Sequence, residues 1–378
     1  MLKFKTLNVF FVWRAMLFVI AYLAILFIPT FGNTFPYANT VLIPTGLPSW
    51  IWSFGNFDGV HYLRIAQNGY VDAFYQAFFP LFPVLIKLFN FFPRDLNMNR
   101  NIFVDKSYFY IGFLLANLFL LVSLWIYRKI SNNTDYIWEI LLILSFPTAF
   151  YFGAIYTESL FLLLLILFLF FLSKKNFLGA GLVTALASLT KVTGVLFLVP
   201  LVIAFFKERK VDFRSVLSLV VAPLGLISYM GYLWVSFGNP LFFLTSQPGF
   251  GAGRSALPIV TLPQVFWRYF KMFVTVKDPT QFMTITNEFV FSAVILGIII
   301  WSFKKVSIER WWLALLFYLV PTLTGTLSSM PRYVLFSYIL LIPVIMTWPK
   351  RVKLFLVIVM WLIQTVLLSL FTRGYWIA

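Results

Sequence analysis

Cysteine is absent from the chain, and charge is scarce: 12 acidic residues stand against 29 basic ones in 378 positions, with a single histidine. Without cysteine there is no disulfide framework, no zinc–thiolate site and no thiol nucleophile. Charged residues make up only 11% of the sequence, less than half the quarter found in soluble domains, so a water-soluble globular protein is excluded. Also missing are a Gly-rich phosphate loop and an Asp-x-Asp pair, the usual means of holding a nucleotide diphosphate. No internal repeat or low-complexity segment interrupts the chain.

What fills the sequence is apolar. Hydrophobic residues reach 61%, with 47 Phe and 13 Trp, a composition suited to lipid-facing and interfacial positions. The net charge of +17 does not mark a nucleic-acid partner. The basic residues form short clusters between apolar runs rather than one stripe, the pattern of membrane topology. The first run, 7–28, is longer than a signal-peptide core and lacks a small-x-small cleavage site, so it reads as a retained helix.

A spanning-length window yields about eleven transmembrane helices, near 8–29, 107–127, 136–154, 158–173, 176–190, 192–206, 215–236, 286–303, 309–327, 333–348 and 354–372. The expected fold class is an all-α polytopic membrane protein, a single domain over 1–378. With the N-terminus cytoplasmic, alternate connections carry Arg128-Lys129, Lys174-Lys175, Lys207-Glu208-Arg209-Lys210, Lys304-Lys305 and Lys350-Arg351-Val352-Lys353, on the same side as Lys3 and Lys5. The C-terminus then lies outside. Two long connections, 30–106 and 237–285, fall outside as well. They hold Trp50, Trp52, Phe78, Phe79, Trp267 and Phe270 among Gly and Pro, so they read as ordered and functional. Within the first, 77–92 (AFFPLFPVLIKLFNFF) is too short and Pro-broken to span and reads as an interfacial or re-entrant helix.

Candidate chemistry concentrates in 54–70, FGNFDGVHYLRIAQNGY. A helix starting at Asp58 puts Asp58, His61, Tyr62 and Ile65 on one face. Asp58 in that place suits either a helix cap or a reactive carboxylate. Arg64 falls within the same seven residues, 58–64. Glu158, in Tyr156-Thr157-Glu158-Ser159, sits where a helix N-terminus would favour an acid, or where a polar site faces outward. Lys191 in Thr190-Lys191-Val192-Thr193-Gly194, and Arg332 in Pro331-Arg332-Tyr333, reach the same outer level, as snorkelling cations or as site residues. These acids and one histidine are too sparse to build a divalent-cation site, so no cofactor is expected.

Phe57-Asp58-Gly59-Val60-His61-Tyr62, continued by Ile65-Ala66-Gln67-Asn68-Gly69-Tyr70 and Ala77-Phe78-Phe79-Pro80-Leu81-Phe82-Pro83, resembles the PIG-V-type mannosyltransferases of the GT-C superfamily. Phe146-Pro147 with Tyr156-Thr157-Glu158-Ser159, Lys191-Val192-Thr193-Gly194 and Pro331-Arg332-Tyr333 look like later motifs of that family, in the same order. Phe57 stands where the family has Trp. Lys191 stands where it has Arg, so a point charge replaces a bidentate phosphate ligand.

The resemblance implies a GT-C-like fold and an inverting transfer of a hexose, mannose in the family, from a polyprenyl- or dolichyl-phosphate donor to a glycolipid or glycan acceptor. The active site would be non-cytoplasmic, at the cell membrane in a prokaryote or the endoplasmic reticulum in a eukaryote. By the same resemblance Asp58 is the base. Lys191 and Arg332 are phosphate-stabilising cations, with Arg64 in reserve. His61 orients the base or binds donor phosphate, Glu158 binds sugar hydroxyls or positions Lys191, and Tyr62 and Tyr333 contribute to substrate binding. The competing class is a transporter or flippase. It would place polar groups at the bilayer midplane and favour internal repeats, whereas here they gather at the outer helix ends.

Overall fold

A computed structural model of the chain describes residues 2–32, 37–92, 103–131, 135–208, 212–251, 253–255 and 259–377. Parts of both long connections, and Arg209 and Lys210 of one basic cluster, lie outside the described residues. Among those described, the fold is helical throughout, with no strand.

Five helical stretches are long and apolar enough to cross a bilayer: Thr6–Phe27, Lys106–Ile130, Phe213–Phe237, Pro279–Trp301 and Lys350–Thr372. Apolar helices of 10–17 residues lie at Tyr136–Ser145, Glu158–Ser173, Phe177–Thr190, Val192–Lys207 and Met330–Ile345. A further helix runs over Ile308–Thr322. Each of the eleven stretches read from hydropathy thus contains helix, and five reach spanning length by themselves. The outward side chains are those of a lipid-facing surface: Val235 is 88% exposed, Phe206 78% and Phe355 69%. So much bare hydrocarbon is untenable in water and is what an α-helical integral membrane protein presents to lipid.

The chain divides into two compact units, one of residues 1–166 with 354–376, the other of 167–353 with 377–378. In the first unit the stretch expected as one span over 136–154 is broken. Its helix stops at Ser145 and a 3-10 turn, Ala149–Gly153, follows. Pro147 has no N–H to continue the ladder and forces Phe146 into an extended conformation, φ −53° and ψ 135°. Carbonyls released by the break find donors on other helices: Trp13 Nε1 and Gln364 Nε2 both reach the Leu144 carbonyl at 3.0 Å, and Gln364 also reaches that of Phe146 at 2.6 Å. A broken helix is tolerated at membrane depth when protein groups re-satisfy its backbone in this way.

Arg14, midway along Leu2–Phe27 and 7% exposed, lies in the same unit. Its guanidinium carbon stands 4.3 Å from the Phe18 and Phe54 ring centres and 4.5 Å from that of Phe113, so ring quadrupoles take the place of an acid. Gly153 makes the room. A Cβ there would come within 2.2 Å of Arg14 Nη1.

In the second unit, small residues set the helix spacing. A Cβ on Gly181 would lie 2.5 Å from the Ser218 carbonyl oxygen, and one on Gly225 1.9 Å from that of Ala185. Close backbone approach through small residues is how helices associate in lipid, where burial of hydrocarbon gives no advantage.

Candidate active site

Among the described residues the first loop holds short ordered turns and short helices, the longest being Asp58–Asn68 and Leu81–Leu88. Helix formation from Asp58 matches the expectation, but its cap does not. Phe57 occupies the capping position, with φ 57° and ψ −118°, and Asp58 is the first helical residue. Asp58 thus stands in the first turn of the helix rather than in the capping position. The left-handed backbone at a bulky residue is costly, of order 1–3 kcal/mol, and its neighbours hold it. Tyr156 Oη donates to the Asn56 carbonyl at 2.9 Å and accepts from the Asp58 amide at 3.2 Å. Asn56 Nδ2 donates to the Phe371 carbonyl at 2.8 Å, and the Ile155 amide to the Phe54 carbonyl at 2.9 Å. The Phe57 ring packs against Phe371 and Trp376.

These bonds bring the 57–62 stretch onto 155–158. The Tyr62 and Thr157 hydroxyls stand 3.5 Å apart, and a Cβ on Gly59 would meet the Ile155 carbonyl oxygen at 3.2 Å. Glu158 begins the helix Glu158–Ser173 and is fully buried. Its carboxyl group lies at the positive helix end, while Asp58 remains half-buried. Two acids, one accessible and one enclosed, are thus tied to one structural knot.

His61 sits in an aromatic cage, 5.4 Å from Tyr37, 5.1 Å from Tyr75 and 4.9 Å from Phe78 between ring centres. Burial lowers its pKa to about 4, with Asp58 and Asp72 opposing and Arg64 reinforcing the shift. The ring is neutral at pH 7 and supplies hydrogen-bonding groups rather than charge. Arg64 is engaged by Asp72 at 3.3 Å. The same acid bonds Tyr75, whose hydroxyl pKa is pushed up by burial first and further by Asp72, with the Arg64 charge opposing the rise.

The second unit gathers Lys191, Arg332 and Tyr333. Lys191 closes the helix Phe177–Thr190 and its Nζ lies 5.9 Å from the Tyr333 ring centre and 5.4 Å from that of Phe336. Arg332, 7% exposed, lies in the first turn of Met330–Ile345, with its guanidinium 5.7 Å from the Tyr333 ring. The glycine of the Lys-x-x-Gly stretch has a steric duty. A Cβ on Gly194 would fall 2.1 Å from the Ala187 carbonyl group. Glycine lets this turn, closed by its amide on the Lys191 carbonyl at 2.9 Å, pack directly against the Ala187 backbone.

Several residues here escaped the sequence reading. Ser329, in the capping position before Met330–Ile345, has φ 65°. The turn before it is pinned from the second long connection. Arg268 Nη1 donates to the Gly325 carbonyl at 2.9 Å, Arg254 Nη2 to Ser329 Oγ at 3.1 Å, and the Leu327 amide to Tyr269 Oη at 3.1 Å. Tyr269 in turn donates to the buried carboxylate of Glu288, which also accepts from the Ser329 amide. A carboxylate inside an apolar helix was the available signal, because such a group is costly unless partnered.

No protein-family model matches this chain, and none of the curated proteins matches it. Among the described residues no group of three or more His, Asp or Glu side chains is placed to hold a metal ion.

Proposed function

We propose that the chain is an inverting membrane glycosyltransferase of GT-C type with about eleven spans. It would move a hexose, mannose by resemblance, from a polyprenyl-phosphate donor to a glycolipid or glycan acceptor on the non-cytoplasmic side. The observation that carries this reading is the half-buried Asp58 at a helix start, behind strained Phe57 and bonded to the Tyr156–Glu158 stretch. Inference from a held backbone outlier to function runs in this direction.

In the reaction the acceptor hydroxyl attacks the anomeric carbon, Asp58 takes its proton, and the sugar–phosphate C–O bond breaks with polyprenyl phosphate leaving. Lys191 and Arg332 stabilise the charge gained by that phosphate. Glu158, being enclosed, acts from behind Asp58 as part of the Tyr156–Glu158 stretch rather than on the sugar itself. His61, being neutral, orients its neighbours rather than holding phosphate, and Arg64 is committed to Asp72. Three basic stretches, at Lys175, Lys207 and Lys305, meet at one cavity of the second unit, which supports a shared cytoplasmic face for them and an outward end for the helix that carries Arg332.

The deciding experiment is transfer by purified protein in detergent. Polyprenyl-phosphate mannose should serve as donor and nucleotide mannose should not. Arg332→Ala should weaken donor use by about 2–5 kcal/mol, the scale for removing one partner of a buried charged contact. Turnover with a nucleotide sugar in protein free of lipid carrier would refute the proposal.

A further inference from the structure

At the far end of the second unit from Arg332 lies a cavity of about 550 Å³, within the size range of ligand pockets. Pro343 lines it, and Pro343 and Arg332 are eleven residues apart on one helix, about 16 Å along its axis. The cavity is therefore separate from the candidate cations. Lys175, Lys207, Lys305 and Arg310 line it together with Glu208 and Glu309. Glu208 pairs with Lys175 at 2.8 Å, and Glu309 pairs with Lys207. Lys305 Nζ lies over the Trp301 ring at 3.5 Å, and among the described residues neither it nor Arg310 has an acidic partner. Two positive charges are thus left over, facing a wall that includes Leu169, Leu172 and Leu313.

Two features choose among anions. The apolar wall is of no use to a free ion but suits the glycerol and upper acyl region of a lipid. The level is also right. Trp301 and Trp348 rings meet at 5.7 Å, and Trp311 and Trp312 at 5.3 Å, at this same end, and tryptophans collect at the headgroup layer. Basic pockets between helices at that level hold phosphate headgroups. We propose that this cavity binds one anionic phospholipid through its phosphate, with Lys305 and Arg310 as the principal ligands and the apolar wall receiving the chains. The inference is independent of the catalytic reading, since it concerns binding alone.

The test is native mass spectrometry of the full chain in detergent, titrated with phosphatidylglycerol, with phosphatidylcholine, and with inorganic phosphate as competitor. Wild type should retain one phosphatidylglycerol in preference to phosphatidylcholine, and inorganic phosphate at equal concentration should not displace it. The double variant Lys305→Gln, Arg310→Gln should weaken that binding about thirtyfold, equivalent to about 2 kcal/mol at 1.4 kcal/mol per tenfold. Glu208→Gln, which releases Lys175, should strengthen it, a direction that general damage to the fold would not produce. Equal retention of the two lipids, an unchanged double variant, weaker binding by Glu208→Gln, or displacement by inorganic phosphate alone would each overturn the proposal.

Discussion

Replacing Tyr156 by Phe removes one oxygen and should loosen the whole turn that presents Asp58. The hydroxyl makes two bonds, to the Asn56 carbonyl at 2.9 Å and from the Asp58 amide at 3.2 Å, and these bracket the left-handed Phe57. The ring itself is kept, so its packing on Tyr151 at 4.8 Å and Phe371 at 6.1 Å is unchanged. Each hydrogen bond contributes about 0.5–1.5 kcal/mol net, and a buried group left unsatisfied costs more. The penalty falls unevenly. The Asn56 carbonyl keeps a long bond from the Gly59 amide at 3.4 Å, whereas the Asp58 amide, at a helix start, has no intrahelical partner to fall back on. The sum is about 2 kcal/mol, comparable to the 1–3 kcal/mol of strain at Phe57, so the held conformation loses its margin. Hydrogen exchange on purified protein should read this as roughly tenfold to thirtyfold faster exchange over 54–62. The helix Lys106–Ile130 should be unaffected, and transfer should fall in parallel. Exchange within about twofold of wild type over 54–62 would show that something other than Tyr156 holds the turn.

Asp58→Asn should leave fold and donor binding intact while lowering transfer by about 10²–10⁴-fold, the range for a lost general base; turnover near wild type would remove Asp58 from that role. Gly194→Ala should lower the thermal midpoint by the equivalent of about 1–3 kcal/mol or more, because its Cβ meets Ala187 backbone at 2.1 Å. Gly231→Ala, with nothing within 4 Å, should be neutral or mildly stabilising, and equal outcomes for the two would contradict the packing argument. Acid should weaken the first unit through His61. Its folded pKa of about 4 lies below the unfolded value near 6.5, so the unfolded chain binds the extra proton. The His61 contribution is intact above about pH 6.5 and declines toward pH 4 by up to about 3 kcal/mol. Thermal midpoints at several pH values should show a flatter acid limb in His61→Phe than in wild type, and identical slopes would refute the assignment.

Most helices were legible because lipid demands long apolar runs, and the start at Asp58 was legible because the 3.6-residue spacing of His61, Tyr62 and Ile65 requires one. The break after Ser145 was not. A spanning-length window averages across Pro147, and the apolar residues continue on both sides of it. Arg14 was lost in the same way, as one charge within a hydrophobic run whose partners, Phe18, Phe54 and Phe113, come from separated stretches. Arg64 looked available because Asp72 lies eight residues on, beyond the reach of any helical pairing rule. Arg268 and Tyr269 act on main-chain groups of Gly325 and Leu327, and Arg254 on the Ser329 hydroxyl, and side chains bound to groups so distant in sequence leave no pattern of residue types to read.

The left-handed residues connect these observations. Among the described residues five that are not glycine have positive φ: Phe57, Phe74, Lys175, Lys304 and Ser329. Lys175 and Lys304 follow the ends of helices, where such a conformation is an ordinary terminator. The other three precede helical turns, where nothing in helix geometry asks for it. Phe57 leads into Asp58, Phe74 into Tyr75, which packs on His61, and Ser329 into the turn carrying Arg332. At Phe57 and Ser329 the device is the same in two separate units. A tyrosine hydroxyl, Tyr156 in one and Tyr269 in the other, bonds main chain beside the strained residue. Conformations costing about 1–3 kcal/mol survive only where surrounding bonds over-determine them. A fold meant only to fill a bilayer would have no use for this expense before Asp58 in one unit and before Arg332 in the other, whereas side chains that must each keep a fixed direction would.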